Sequence, residues 1–304
     1  MKVALLGLEY FGRSLKEQLA AVGVEAYLGS ELMGDGVSGT AWRSLRKVDV
    51  VHLLKGRLSL RHHWSLIARR PVLVHWSGTD VVHSLNEKGA RGALHRWMLR
   101  HLVTACVADS ELLAEEVEPM LGYRPEVIRL LPSGLKGTVL PLPVKFTVFG
   151  SWRPGHEELY GSETILAMAR AFPGVDFIVG IDTIPTSGDW PTNLTFRRFD
   201  EPMAELWPRV SCLVRVCAHD SLSATVLEAL SRGRYCIYSN SFPHTETARN
   251  VDEAKAALAR LVSMREPNVA GARYVDENFD PEREVAKLVR VYDRIRRHRA
   301  ASCG

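Results

Sequence analysis

The chain has 304 residues, 46% of them hydrophobic and 24% charged, which is ordinary globular composition in a length that suits two domains. A formal net charge of +4 falls short of a nucleic-acid-binding face, so nucleic acid is excluded as a partner, while a protein that handles phosphates or lies near anionic lipid fits. The five cysteines, Cys106, Cys212, Cys217, Cys236 and Cys303, form no CxxC pair, which argues against a disulfide framework or a zinc site. The first apolar run is short and followed at once by charge, so it reads as a strand and not a signal peptide. No stretch approaches the ~18 apolar residues of a membrane span. The expectation is a soluble, cytoplasmic protein that at most touches a membrane from its inner face.

Residues 3–6 form an apolar strand ending in Gly7, and helical periodicity through Leu15 and Leu19 stops at Gly23. Strands follow at 24–28 and 48–54, with helical pieces at 42–45 and 65–69. The buried strand 72–75 runs into a polar stretch, Trp76-Ser77-Gly78-Thr79-Asp80. A helix over 91–102 leads to a strand at 105–108, and Ser110 caps a helix through Met120. Residues 124–144 hold four prolines and two glycines with little periodicity and read as an interdomain linker. Alternation restarts with strands at 146–149, 175–179, 194–197, 212–216 and 235–238. Helices are expected at 162–171, 202–207, 224–231 and 252–264, and a last one at 281–298. Strands alternating with helices imply parallel, doubly wound sheets. The expected fold class is α/β, two Rossmann-like domains facing a cleft: residues 1–140 on the acceptor side, 141–278 binding a nucleotide, and a closing helix over 279–304 packing back on the first domain.

Four constellations could carry chemistry. Gly7-Leu8-Glu9-Tyr10-Phe11-Gly12 is a strand-to-helix glycine turn, but Glu9 occupies the middle glycine of a dinucleotide fingerprint. Its bulk and charge disfavour a pyrophosphate, which argues against an NAD-dependent oxidoreductase. Gly7, Glu9 and Gly12 are instead candidates for the acceptor side. The second is His75-Trp76-Ser77-Gly78-Thr79-Asp80, directly after a buried strand, where α/β sheets bind ligands. His75 or Asp80 is expected to manage the acceptor proton, with Trp76 and Thr79 lining the acceptor side; the plain alternative is a helix cap beside a core histidine. The third joins Gly150, where the backbone can approach a ligand, to Arg153, a planar fork for phosphate, and to Tyr160 ahead of the next helix. The fourth is His219-Asp220-Ser221-Leu222-Ser223 followed by an apolar helix that contains Glu228. Two carboxylates eight residues apart suit vicinal diols of ribose and sugar, and the amides after Ser221 suit a diphosphate.

The stretch HDSLSATVLEALSRGRYCIYS resembles the acidic signature of family-4-like glycosyltransferases of the GT-B fold. FTVFGSWRP, YGSETILAMARAFPGVDFIVG and NLTFRRFDEPMAELWPRVSCLVRV are similar to the same family's donor-domain blocks. The resemblance implies a glycosyltransferase whose substrate is a nucleotide-diphosphate sugar, retaining, without bound metal or other cofactor, and with a glycan or lipid-linked acceptor. It implies that Glu228 binds the donor ribose, Asp220 the transferred sugar, and Arg153 the diphosphate. Asp220 stands where the family usually has Glu, Ser221 where it has Gly, and Tyr160 where it has Lys. Arg215 or His219 is then the candidate for the missing cation. A nucleotide-sugar epimerase and a non-catalytic protein with a degenerate site stay open as alternatives. Finally, residues 93–103 place Leu94, Trp97, Met98, His101 and Leu102 on one helical face, and with the arginine-rich tail they suggest peripheral membrane contact.

Overall fold

The computed structural model describes residues 1–33, 45–56, 70–199 and 201–302, with side chains to residue 297. The helical pieces expected at 42–45 and 65–69 lie outside the described residues, apart from Leu45, as do Cys303 and the side chain of Arg299. The chain divides into two compact units, Met1–Ser133 with the segment from Asp280 on, and Gly134–Phe279.

In the first unit the elements are β1 (Lys2–Gly7), α1 (Glu9–Ala21), β2 (Glu25–Leu28), α2 (Gly29–Met33), β3 (Val50–Leu54), β4 (Val72–Trp76), α3 (Asp80–Leu85), α4 (Gly89–His101), β5 (Ala105–Ala108), α5 (Glu111–Leu121) and β6 (Glu126–Val127). The strands form one parallel sheet in the order β2-β1-β3-β4-β5-β6. β3 and β4 are buried at every residue, as strands covered on both faces must be. One face packs Met98, Leu99, Leu113 and Val117 from α4 and α5. The other packs Leu15 and Leu19 of α1. It also packs Leu288, Val291 and Tyr292 from the last helix, Pro281–Ser302.

That helix is tied down by polar groups as well. Tyr292 Oη lies 2.7 Å from His52 Nδ1, Glu284 accepts from Arg129 N at 3.0 Å, and Arg294 meets Glu126 at 3.2 Å. The front part of the expected linker belongs to this unit: β6 extends the sheet, and Ile128 and Leu130 are buried in the core.

The second unit holds β7 (Thr147–Ser151), α6 (Glu157–Tyr160), α7 (Ser162–Ala171), β8 (Asp176–Ile181), β9 (Leu194–Arg198), α8 (Met203–Leu206), β10 (Cys212–Arg215), α9 (Ala224–Ser231), β11 (Tyr235–Tyr238), β12 (Glu246–Thr247), α10 (Val251–Leu261) and α11 (Val269–Asn278). The last helix of the chain is therefore α12. The parallel sheet runs β12-β11-β10-β7-β8-β9. Renumbered from its own first strand, this is the doubly wound order 3-2-1-4-5-6. The chain reverses its direction of winding between β7 and β10. Ile165 and Met168 of α7 and Ala257 and Leu258 of α10 close one face of the sheet.

Candidate functional site

In an open parallel sheet the crevice for a ligand lies beyond the carboxyl ends of the strands, where the winding reverses. In the second unit that point is shared by the loops after β7 and β10, and three of the four constellations read from the sequence fall at such reversals or beside them. Gly161 brings two of them together. It adopts φ 62°, and a Cβ there would lie 1.7 Å from the carbonyl oxygen of Val216. Ala218 N donates to Leu159 O at 3.0 Å across the same contact. The turn at Tyr160–Gly161 is thus pressed against the chain leaving β10. Ser162 Oγ accepts from Arg153 N at 3.2 Å, which joins the loop after β7 to the start of α7.

The loop after β10 is built around Asp220, which is 8% exposed. Arg215 grips it with both arms of the guanidinium, Nε to Oδ2 at 2.5 Å and Nη2 to Oδ1 at 3.0 Å. Ser221 N adds a third bond to Oδ1 at 3.1 Å. Burial works against the Arg215 charge, but Asp220, Cys217 and Tyr238 together raise the pKa of the guanidinium further. The loop's carbonyls are held from β11: Tyr238 Oη donates to Ser221 O at 2.6 Å, and Asn240 Nδ2 to Asp220 O at 3.1 Å. Burial, first, and then Asp220 push the Tyr238 phenol above its ordinary range. Ser223 caps α9 by accepting from Val226 N at 3.3 Å. Glu228 follows one turn on, 9% exposed, between Leu227 and Ala229, which are fully buried. Cys217 beside this loop is a buried thiol, pushed up to about 11 by desolvation.

Two expectations need correction here. Asp220 does not present a free carboxylate, because three of its roughly four acceptor positions are already taken. Gly150 is buried, and its lack of a side chain serves packing: a Cβ there would come within 2.5 Å of Ile165 of α7. Arg153 reaches the loop surface. There it pairs with Asp182 at 2.9 Å and lies 4.1 Å above the Phe199 ring. Tyr160 and Leu222 are half-buried, and Ser221 is buried in the same loop cluster. His219 precedes Asp220 in it.

In the first unit the winding reverses between β1 and β3. Gly7 leaves β1 with φ 118°, and its backbone runs against Leu54 of β3. Gly12 faces Leu28 at the distance a Cβ would just fill. With Glu9 and Ser30 they line a cavity of about 50 Å³. Glu9 pairs with Arg13 at 2.8 Å and accepts from Ser30 at 3.3 Å.

After β4 the structure departs from the sequence reading. His75 is inaccessible to solvent, with Nδ1 3.2 Å from His52 Nε2 and Nε2 2.8 Å from Ile128 O. Burial lowers its pKa to about 4. It is a neutral core residue, which withdraws the catalytic role expected of it. Trp76 is equally buried and packs over Gly56, so it does not line an acceptor site. Asp80 is buried and braces two loops, accepting from Gly56 N at 2.5 Å and Ser77 N at 3.3 Å. Desolvation raises its pKa to about 6. Thr79 stays half-exposed at the strand end and makes no cap hydrogen bond.

A large set of solved structures is similar to this chain over almost its whole length. Anabaena HepE, solved in complex with UDP-glucose, is 12% identical, with a TM-score of 0.70 over 96% of this chain and 100% of its own. Sucrose-phosphate synthase from Thermosynechococcus elongatus is 13% identical, with a TM-score of 0.72 over 97% and 99%. A glycosyltransferase from Rickettsia africae is 11% identical, with a TM-score of 0.68 over 97% and 98%. The fold is that of the GT-B glycosyltransferases. No protein-family model matches the sequence, and no curated protein sequence does. A GT-B fold accounts for the two parallel sheets of this chain and for their loop clusters after β7 and β10. Ser162, Asp182, Tyr238 and Asn240 also belong to these loop clusters and were not singled out from the sequence. Tyr238 carried a signal, since it ends β11, and Asn240 follows it two residues on.

Proposed function

We propose that this chain is a glycosyltransferase that takes a nucleotide-diphosphate sugar into the crevice after β7 and β10 of its second unit and passes the sugar to an acceptor hydroxyl. The observation that carries the reading is Glu228. It is a carboxylate buried in an apolar helix at the carboxyl end of a doubly wound sheet, where it suits the paired hydroxyls of a ribose. Solved neighbours on the same fold were crystallised with UDP-glucose and with UDP and glucose, which favours a donor of that class. The diphosphate is assigned to Arg153 and to the amides that open α9, so the leaving charge is met by protein groups without a metal ion. Transfer is taken to be retaining.

The acceptor is assigned to the first unit, near Gly7, Glu9, Gly12 and Thr79, as a glycan or a lipid-linked glycan. Peripheral membrane contact is supported by α4, where Leu94 and Trp97 are 53% and 51% exposed beside Arg91. Met98, expected on that face, is buried, and Arg100 is tied to the Met120 carbonyl.

Calorimetry with UDP, ADP, GDP and dTDP, followed by the matching nucleotide sugars, tests the reading. Binding of one diphosphate, and turnover of its sugar conjugate in the presence of a chelator, is the expected result. Binding without hydrolysis or transfer to any glycan acceptor would instead describe a nucleotide-binding protein without catalysis.

A further inference from the structure

The Arg215–Asp220 pair is an unusual object to find at the reversal point of a parallel sheet. Both partners sit at the carboxyl end of β10, the Arg215 side chain is 21% exposed, and the pair is bidentate. Buried ion pairs are seldom kept for stability, because desolvation cancels most of their attraction. A plainer way to hold this loop was also available, since Tyr238 and Asn240 already secure its carbonyls. What the pair adds is a guanidinium of fixed orientation. Of its five N–H groups the bonds to Asp220 use two, and the other edge of the plane is left for an anion.

The surroundings suit an anion. Gly161 presses the start of α7 onto Val216, the next residue after Arg215. The amides that open α9 follow three to four residues after Asp220. Two helix amino termini, one of ten residues and one of eight, therefore open from the loops that meet at the end of β10. Tyr160 at the same turn brings no charge of its own.

We infer that Arg215 is a second cation, beside Arg153, that meets the donor diphosphate in this chain, and that Asp220 is a positioning residue that aims it, with no part in reading the sugar. The inference rests on the donor-site reading above and deepens it. It also accounts for the residue type at position 220: the short aspartate reaches Arg215 within its own loop and is spent on that contact.

The test uses whichever of UDP, ADP, GDP and dTDP the native protein binds best, together with its monophosphate, in the full-length chain. Arg215→Met is expected to lower diphosphate affinity tenfold or more while changing monophosphate affinity less than threefold, with Arg215→Lys in between. Asp220→Asn is expected to weaken the diphosphate by a smaller factor, and to have no further effect when Arg215 is already Met, because it acts only through that arginine. If Arg215→Met does not fold, the diphosphate-to-monophosphate ratio of Arg215→Lys carries the same comparison. An unchanged ratio in a folded Arg215 variant overturns the inference while leaving the donor site standing. An undiminished effect of Asp220→Asn in the Arg215→Met background overturns the positioning role. Failure of the native protein to bind any of the four diphosphates overturns the donor-site reading, and this inference with it.

Discussion

Tyr292 donates its hydroxyl proton to His52, and the direction of that bond follows from the far end of the chain it begins. Ile128 O can only accept, so His75 Nε2 carries the proton there. A neutral His75 then accepts at Nδ1 from His52 Nε2, and His52 accepts at Nδ1 from Tyr292. One row of protons links α12, β3, β4 and the segment after β6, all in the core. Tyr292→Phe would leave His52 Nδ1 without its donor in a site closed to water. The expected cost is about 1–3 kcal/mol in denaturant unfolding. A loss near zero would show that the row is not formed in solution.

The same row predicts acid sensitivity. Burial lowers the pKa of His75 to about 4 and that of His52 well below its ordinary value. In the unfolded chain both return to about 6.5. The unfolded state then binds more protons below that pH, so their contribution is complete above about 6.5 and is lost as the pH falls. Asp80 acts in the opposite sense, since its folded pKa is raised to about 6 and its protonation favours the native state as the pH falls. Two groups against one give a net loss on going from pH 7 to pH 5. Asp80→Asn should make that loss steeper, which urea titrations at the two pH values would reveal.

Gly161→Ala should disable the donor site. The residue has left-handed backbone, and the added methyl would run into a carbonyl of the adjacent strand exit. The αL conformation alone costs about 1–2 kcal/mol for alanine. The turn must then move away from Val216. The expected outcome is loss of nucleoside-diphosphate binding with far-UV circular dichroism close to native. Native-like binding would mean that the contact at Val216 O is dispensable.

Arg153 faces a choice between Asp182 and a ligand. Their pair is exposed on both sides and is worth roughly 0.2–1 kcal/mol. Removing the competitor with Asp182→Asn should tighten nucleoside-diphosphate binding by a factor of up to about five. Weaker binding in that variant would mean that Asp182 holds Arg153 in its working position.

The exposed face of α4 offers a separate measurement. Co-sedimentation with vesicles containing anionic lipid is expected at low salt and should fall as salt rises. Trp97→Ala should weaken it. A protein that stays in the supernatant would remove the membrane from the description of this surface.

Much of the architecture was legible because its signals are local. Ser110 was visible as a cap, the apolar runs of β3, β4 and β10 as strands, and Gly7 as a turn. β6 and β12 were not, because two residues at a sheet edge have no period to detect. α11 was missed although Asn268 caps it by accepting from Gly271 N, since Gly271 and the small residues around it weaken the apolar stripe. In the loop clusters, residue type picked out the loops but not the contacts that their side chains make. The sequence places His75 and Asp220 at strand ends equally well. What sends one into the core and pairs the other with an arginine is contact with His52 and Arg215, which spacing along the chain does not reveal.

The first unit is assembled from both ends of the described chain, with Gly134–Phe279 inserted between its parts. A ribosome releases the inserted unit entire while the first unit still lacks α12. Until that helix arrives, the face of the first sheet around Val3, Leu73 and Val107 has no cover from Leu288 and Val291, and His52 has no donor. The unit encoded second can therefore close its core before the one encoded first has received its last helix.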